Sequence, residues 1–358
     1  MDPIELRTPS GTRAYALHGD TVVEHPGADD AGTVVLLSDA SWDDLRGQRR
    51  TIMHLHLNGE LSFERGGFDH LAAWEPHLRR HHAGIPIYDP ARVDLSGVDL
   101  ARTFTLEDPD DELLAFYRAA GFLHVRGVFS PDEMAAANAE VDRLAAAARP
   151  GDDRSWWATD REGHERVCRL VYATQRSALL RGLEEDPRTR RLGTLAHPGH
   201  RVAPDRMEGS AVILKLPGRT KGLANIPWHQ DCGMGGHAVF CPNTSVGIQL
   251  TGSSAATGNL AVVPGSHGQT LAYDWERRLH GVPVVHVDTD PGDVTLHVAD
   301  VMHASPEPTG AGGRRTLYVT FYPPDLWDHV AAGEAYNDVV RNRTHEADAW
   351  RAGPAGSA

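Results

Sequence analysis

The sequence is poor in several features that would place it in a class directly. It has three cysteines among 358 residues and no Cys-x-x-Cys pair, so neither a disulfide framework nor a thiolate zinc site is indicated. Lysine and arginine number 35 against 49 acidic residues, and the net charge of −14 argues against a nucleic-acid or anionic-membrane surface. No apolar run reaches the roughly 18 residues of a membrane span, and no secretory signal opens the chain. These absences predict a cytoplasmic protein that acts on small molecules.

The first part of the chain, residues 1–105, predicts a small α+β domain. After an irregular start, TVVLLSDASWDDL and RRTIMHLHLNGELSFE alternate apolar and polar residues like strands, and FDHLAAWEPHLRRHH has a helical pattern. The region resembles sterol-carrier-like lipid-binding domains; the alternative is an extension that packs on the rest of the chain or mediates dimers. His54 and His56 would share a strand face, but no further ligand follows at a readable spacing, so we interpret them as structural.

The larger domain predicted for residues 106–330 begins with helices. Apolar residues three and four apart between Leu113 and Ala120 indicate an amphipathic helix that ends at Gly121. The segment Ser130-Pro-Asp-Glu133 supplies a cap residue, a proline at the first helical position and a glutamate three residues after the cap, which predicts a second helix start. Residues 151–205 show a weak helical pattern and no clear strand signal, so we expect a helical insert there.

From residue 209 onward the sequence changes to short strands broken by glycine, proline and asparagine. The segments are SAVILKLPG, IPWHQD, TSVGIQLTG, LAVVPGS, VPVVHVDTD, DVTLHVAD and RRTLYVTFYPP. Many short strands at regular spacing predict a jelly-roll. The predicted fold class is therefore mainly β with flanking helices, with a double-stranded β-helix (jelly-roll) core after the α+β domain. Residues 331–358 are expected to form a polar tail.

One strand segment, PWHQDCGMGGH, places a histidine and a carboxylate two residues apart. His229 and Asp231 would project from the same strand face. A second histidine from a later strand would complete three facial ligands, which leave adjacent positions on Fe(II) open for a co-substrate and O2. His303 is the candidate; His297, six residues earlier, is a rival that we interpret as a strand histidine with a hydrogen-bond partner. We interpret Cys232 as a small packing residue.

An arginine that could bind a carboxylate follows the second histidine in the sequence. Arg314 lies eleven residues after His303, at the start of the next predicted strand. Its planar guanidinium can hold a carboxylate through two parallel bonds, as a chelating 2-oxo acid such as 2-oxoglutarate needs at its distal end. Arg315 is the alternative anchor. Since adjacent strand residues face opposite ways, only one of the two can reach the pocket.

Together these segments resemble the phytanoyl-CoA dioxygenase family of Fe(II)/2-oxoglutarate oxygenases. The resemblance runs from about Asp111 to Pro324, through FYRAAGFLHVRGVFSPDEM, ILKLPG, WHQD, GNLAVVPGSHG and the final GD…H-x-S…R element. Ala304 and Pro308 depart from the glycine and asparagine that family members commonly have there, which puts the local turn in doubt but not the ligand.

The resemblance implies roles for individual residues. The metal ligands would be His229, Asp231 and His303. Arg314, with help from Ser305, would bind the distal carboxylate of 2-oxoglutarate, and Lys215 would lie near this co-substrate. Trp228, beside the first ligand, is a candidate for the substrate pocket.

The implied activity uses Fe(II), 2-oxoglutarate and O2 to oxidise a C–H bond of a small molecule, with release of succinate and CO2. Hydroxylation is the first expectation, and desaturation, epoxidation or cyclisation stay open. No basic cluster suggests a site for the phosphates of coenzyme A, so a secondary-metabolite intermediate is expected. The rivals are a redox-inactive metal-binding jelly-roll, against which Arg314 argues, and a halogenase, against which Asp231 argues. A monomer and a homodimer are equally compatible with the sequence.

Overall fold

The computed structural model describes residues 1–221, 226–231, 241–271 and 281–326. Our predictions for Cys232 and for the tail 331–358 concern residues outside this part. Among the described helices, none is long and apolar enough to cross a membrane.

The amino-terminal part forms a five-stranded sheet covered by helices. Its strands are β1 (Ile4–Thr8), β2 (Gly11–His18), β3 (Thr21–His25), β4 (Thr33–Leu37) and β5 (Leu61–Arg65), and its helices are α1 (Asp39–Arg46), α2 (Ile52–Leu57) and α3 (Phe68–Ala83). The strand order is β3-β2-β1-β4-β5, with β1 parallel to β4 and the other pairs antiparallel. Buried apolar side chains between Ile4 and Leu78 form a core of their own.

The prediction of an irregular start was wrong. Residues 4–25 form β1, β2 and β3, which are joined by two tight turns. Gly19, in the second turn, has φ of +62°, a conformation that residues with a side chain rarely adopt. The short alternating segments on either side of these turns were the signal for hairpins.

The strand predicted around residues 52–57 was also wrong, because these residues form α2. The Thr51 hydroxyl caps this helix by accepting a hydrogen bond from the backbone N–H of His54. Most of the helix is buried, so its apolar residues do not show the spacing of an amphipathic helix. His54 and His56 therefore do not share a strand face. The His54 ring lies 2.9 Å from Nε of Arg50 instead.

The carboxy-terminal part is mainly β, as predicted, and has two sheets. Its strands are β6 (Phe122–Val125), β7 (Ser155–Asp160), β8 (Glu165–Leu170), β9 (Arg201–Val202), β10 (Ala211–Lys215), β11 (Arg219–Lys221), β12 (Ile226–His229), β13 (Thr244–Gln249), β14 (Leu260–Val262), β15 (Val285–Val287), β16 (Val294–Val298), β17 (His303–Ser305) and β18 (Arg314–Tyr322). The major sheet has the order β11-β7-β8-β10-β18-β13-β16-β6, with β9 beside β18, and the minor sheet has the order β12-β17-β14-β15. Each of the seven strand segments predicted after residue 209 contains a strand.

Helices cover one face of the major sheet. They are α4 (Asp110–Ala120), α5 (Pro131–Ala147), α6 (Ala173–Arg176), α7 (Ala178–Glu185) and α8 (Pro187–Gly193). Leu317, Val319 and Phe321 of β18 join the buried core on this side. Since side chains alternate along a strand, the residues between them, and Arg314, face the minor sheet. The co-substrate residues predicted on β18 and β10, Arg314 and Lys215, therefore lie between the two sheets.

Short sequence motifs correctly predicted the end of α4 and the start of α5. α4 ends where Gly121 takes a φ of +79°, and α5 begins with a capping box between Ser130 and Glu133. The helical insert predicted for residues 151–205 was wrong in its first half. Residues 155–170 form the β7–β8 hairpin of the major sheet, and helices occupy only 173–193. The charged side chains on β8 concealed its alternation.

Candidate metal and co-substrate site

The minor sheet brings the three predicted metal ligands together. β12 and β17 are antiparallel neighbours, and His229 lies directly opposite His303, with ring centroids 4.2 Å apart. Asp231 follows β12, where its backbone N–H donates to the carbonyl of Ala299 at 2.8 Å. Its Oδ1 lies 3.2 Å from Nε2 of His229 and 3.4 Å from Nε2 of His303. His229 and His303 meet through the pairing of β12 with β17, and Asp231 joins them from the segment that follows β12.

The spacing of these atoms fits a metal ion. Ligand atoms about 2.1 Å from a six-coordinate metal, at right angles to each other, lie about 3 Å apart. One atom from each of His229, Asp231 and His303 lies within 4.8 Å of the others. Nδ1 of His303 is 2.9 Å from the carbonyl oxygen of Val301, so this nitrogen donates and leaves the Nε2 lone pair for a metal. Two imidazoles and one carboxylate are the set typical of non-haem Fe(II) oxygenases.

The charges at this site favour an ionised carboxylate. Burial raises the pKa of Asp231, but His303 and hydrogen bonds from His229 and His297 outweigh this and hold it well below its usual value. Burial lowers the pKa of His303, but the Asp231 carboxylate and the hydrogen bond to the Val301 carbonyl together raise it above its usual value. For His297, burial dominates and lowers the pKa to about 4, so this ring is neutral at pH 7.

A second cluster, of two buried cations, lies beside this site. Lys215 on β10 pairs with Arg314 on β18, and the two residues are 0% and 1% exposed. The hydroxyl of Ser305 is 3.0 Å from both Nζ of Lys215 and Nη2 of Arg314, and it donates to the carbonyl of Gly258 at 2.9 Å. Lys215 also donates to the Ser305 carbonyl. Burial, and then the charge of Arg314, lower the pKa of Lys215 to about 7.

Arg314 has hydrogen-bonding capacity left over. Its Nε and Nη1 are buried and have no partner among the described residues. Leaving a guanidinium buried and only partly hydrogen-bonded is costly, so the pocket suits an anion. Nη2 uses only one of its two hydrogens on Ser305, so one edge of the guanidinium, formed by Nη2 with either Nε or Nη1, can still bind a carboxylate through two parallel bonds, as the distal end of 2-oxoglutarate would require.

Arg315 faces the opposite side of the sheet. Its Nη2 lies 2.7 Å from Oδ1 of Asp142 on α5, and its backbone N–H donates to the hydroxyl of Thr251. Of the two arginines left open by the sequence, Arg314 is the one that points between the sheets.

Two neighbours of the site were not assigned to it from the sequence. His297, interpreted as a strand histidine with a partner, has Asp231 Oδ2 as that partner at 3.4 Å. Gly258, with φ of +72°, packs against the Lys215 side chain. The sequence marked His297 only as a rival ligand and Gly258 only as the first residue of GNLAVVPGSHG, because both contacts join segments far apart in the chain. Trp228 lies in β12 beside His229, and its place in a substrate pocket stays a prediction.

Comparison with known proteins decides the family. The sequence profile of phytanoyl-CoA dioxygenase (PhyH) matches residues 117–316, which is more than half of the chain. The chain belongs to the phytanoyl-CoA dioxygenase family. It is therefore a 2-oxoglutarate-dependent oxygenase with iron and 2-oxoglutarate as cofactors, and the family predicted from the sequence is confirmed. No curated protein sequence matches the chain significantly.

Among solved structures that resemble this chain, EctD supports the jelly-roll prediction. EctD from S. alaskensis, crystallised with 2-oxoglutarate and 5-hydroxyectoine, is 19% identical over 67% of this chain and 83% of its own, with a TM-score of 0.51. AviO1 from Streptomyces viridochromogenes Tue57 is 23% identical over 61% of this chain and 96% of its own, with a TM-score of 0.49. SnoN, a non-haem alpha-ketoglutarate-dependent epimerase from nogalamycin biosynthesis, is 22% identical over 60% and 82%, with a TM-score of 0.49.

The close packing of Gly258 on the cation cluster yields a prediction. A Cβ at this position would lie 2.4 Å from the carbonyl oxygen of Pro306 and 2.6 Å from Cε of Lys215. Gly258→Ala should therefore displace Lys215 and weaken 2-oxoglutarate binding roughly tenfold, or about 1.4 kcal/mol. Gly163→Ala is the control, because Gly163 has φ of +85° but open space around it. It should lower the melting temperature and leave 2-oxoglutarate affinity, measured by calorimetry, unchanged. Equal affinities in the two variants would contradict the assigned packing.

Proposed function

We propose that the chain hydroxylates an unactivated C–H bond of a small molecule, with 2-oxoglutarate converted to succinate and CO2. The observation that supports this most directly is the buried guanidinium of Arg314, with two unpartnered nitrogens, next to Lys215 and close to the three metal-ligating side chains. A redox-inactive metal-binding jelly-roll has no need of a carboxylate clamp at this position. Similarity to EctD, which was crystallised with a hydroxylated small molecule, is consistent with the proposal.

In this proposal the two sheets hold different groups. The minor sheet supplies His229 and His303 as iron ligands, and Asp231, two residues after the end of β12, completes the set. Arg314 binds the distal carboxylate of 2-oxoglutarate, with help from Ser305, whose hydroxyl would turn from the Gly258 carbonyl to the carboxylate, and Lys215 adds a second positive charge. Once bound, iron and 2-oxoglutarate supply the O2-dependent oxidation, and the protein orients the reacting groups and limits side reactions.

Individual side chains have defined tasks in this arrangement. Asp231 is ionised before metal binds, so it neutralises part of the iron charge without first releasing a proton. The hydrogen bond from His303 to Val301 fixes the tautomer that presents Nε2 to the metal. The cation cluster is buried, which excludes water from the distal carboxylate and strengthens its attraction to Arg314.

The substrate that we propose is a secondary-metabolite intermediate rather than an acyl-coenzyme A. Trp228 is the described residue that we assign to the substrate pocket, because it adjoins His229 in β12. Desaturation, epoxidation and cyclisation use the same cofactors. The mass of the product distinguishes desaturation and cyclisation, which remove two hydrogens, from hydroxylation; epoxidation also adds one oxygen, and the NMR spectrum of the product distinguishes it.

The first prediction tests the cofactor set and the reaction. Apoprotein given Fe(II) and 2-oxoglutarate without O2 should develop a visible metal-to-ligand charge-transfer band, because the facial triad leaves two adjacent positions for chelation. With O2 and a library of candidate metabolites, a true substrate should raise succinate formation and yield a product heavier by one oxygen atom. Tight zinc binding with no charge-transfer band would overturn the proposal, and a product that has only lost hydrogen would replace hydroxylation with desaturation or cyclisation.

The second prediction separates the two arginines. Arg314→Ala should raise KM for 2-oxoglutarate on the order of 10²-fold, because it removes a charge-assisted bidentate pair of roughly 3 kcal/mol. Arg315→Ala loses contacts with Asp142 and Asn138 on α5, away from the pocket, and serves as the matched control. Its KM should stay within about twofold of wild type, since exposed ion pairs contribute less than about 1 kcal/mol. Steady-state kinetics of succinate release measures both variants, and a larger effect at Arg315 would assign it the anchoring role.

The third prediction concerns the dependence of co-substrate binding on pH. Lys215 has a pKa of about 7 without a bound anion, and a nearby carboxylate stabilises its charged form and raises that pKa. Affinity for 2-oxoglutarate should therefore be greatest below pH 7 and fall above it, by up to about tenfold per pH unit. Anaerobic calorimetry of the metal-loaded protein between pH 6 and 9 measures this slope. Lys215→Met should bind more weakly and lose the slope; if the slope persists, another group causes it.

A further inference from the structure

His297 lies behind the carboxylate of the metal site. It belongs to β16 of the major sheet, is 2% exposed, and faces the minor sheet. Its ring centroid is 4.3 Å from that of His303 and 6.1 Å from that of Tyr318. These contacts hold the ring between the two sheets, where its Nε2 points at Asp231.

The two oxygens of Asp231 have different surroundings. Oδ1 is the oxygen that lies 3.2 Å from His229 Nε2 and 3.4 Å from His303 Nε2, so it faces the position of the metal. Oδ2 is 3.4 Å from Nε2 of His297. This distance is at the long end of the range for a hydrogen bond. The described group of converging ligand atoms does not include His297.

We propose that His297 is a positioning residue that donates a hydrogen bond to Asp231 Oδ2 and thereby restricts the carboxylate to one-oxygen coordination of the metal. A carboxylate can bind a metal through one oxygen or both. If both oxygens of Asp231 bound, they would occupy a position needed by 2-oxoglutarate or O2. Partners of a ligating carboxylate orient it, and their loss typically costs 10–100-fold in metal affinity.

A positioning role for His297 also accounts for a feature that destabilises the fold. Nδ1 of His297 is buried and has no hydrogen-bond partner among the described residues. A buried unsatisfied polar atom destabilises a protein. A phenylalanine of similar shape would remove this cost, so a residue retained only for packing would not need to be histidine.

The test compares variants that separate a structural role from a positioning role. His297→Phe should keep or raise the melting temperature of the apoprotein, yet lower its affinity for Co(II), an air-stable probe, about 10–100-fold. His297→Gln places an amide N–H in reach of Oδ2 and should restore affinity to within about threefold of wild type. Infrared spectra of protein labelled with ¹³C-carboxyl aspartate report the coordination mode. The separation of the two carboxylate stretches should be wide in wild type and the Gln variant, and narrow in the Phe variant.

His124→Phe is the matched control. His124, on the neighbouring strand β6, is also buried and lies 2.9 Å from a carboxylate oxygen, that of Asp293. Its replacement should lower the melting temperature and leave Co(II) affinity and the infrared spectrum unchanged.

The role of His297 rests on the proposed metal ligands, and the experiment distinguishes failure of this role from failure of the proposed function. Wild-type affinity and an unchanged carboxylate spectrum in His297→Phe would overturn the role of His297 and leave the proposed function standing. A Gln variant as impaired as the Phe variant, with both losing a metal–imidazole signal, would make His297 a ligand instead. Failure of wild-type protein to bind Co(II) would overturn both proposals.

Discussion

Two buried positive charges, on Lys215 and Arg314, are the constraint around which the site is organised. Neither makes an ion pair with a described acidic residue, and each is held in place by the backbone pairing of β10 with β18 rather than by attraction to the other. Burial without a counter-charge destabilises the charged forms, and the pKa of Lys215 falls accordingly. In the proposed function the distal carboxylate of 2-oxoglutarate compensates this cluster, which would couple the stability of this region to co-substrate binding.

The proposed metal ligands obey a different constraint, the register of the minor sheet. A shift of one residue between β12 and β17 would turn either His229 or His303 to the other face of the sheet. Ser305 links the two clusters, because it lies two residues after His303 on β17 and contacts both Lys215 and Arg314. The distance between the metal and the distal carboxylate pocket is therefore set by one short strand.

The amino-terminal part has a hydrophobic core separate from that of the jelly-roll. We propose residues 1–105 and 106–330 as the two domains, with the boundary in the connector after α3. This connector also touches the jelly-roll. The backbone N–H of Tyr88 donates to Thr270 at 2.8 Å, and a Cβ at Gly265 would lie 2.4 Å from Val93. The resemblance of the first domain to sterol-carrier-like domains stays a prediction.

Local features of the sequence were sufficient for much of this structure. The capping box at Ser130, the glycine stop at Gly121 and the strand segments after residue 209 depend on caps and periodicity, which act over a few residues. The family could be predicted for the same reason. The His-x-Asp pair, His303 and Arg314 each belong to a short sequence segment that can be recognised without the tertiary structure. The buried helix α2 and the β7–β8 hairpin were missed because burial on several sides and charged outer faces remove the periodic signal.

Only the tertiary structure decided which way particular side chains point and what they meet. Arg314 rather than Arg315 faces the pocket because of the pairing of β18 with strands far from it in sequence. The contact between His297 and Asp231 and the lowered pKa of Lys215 likewise depend on sheet packing and burial. The sequence determined the kinds of residue available for metal and anion binding, since these follow from side-chain chemistry. Their register and desolvation required the folded chain, because both are set by segments up to about a hundred residues apart.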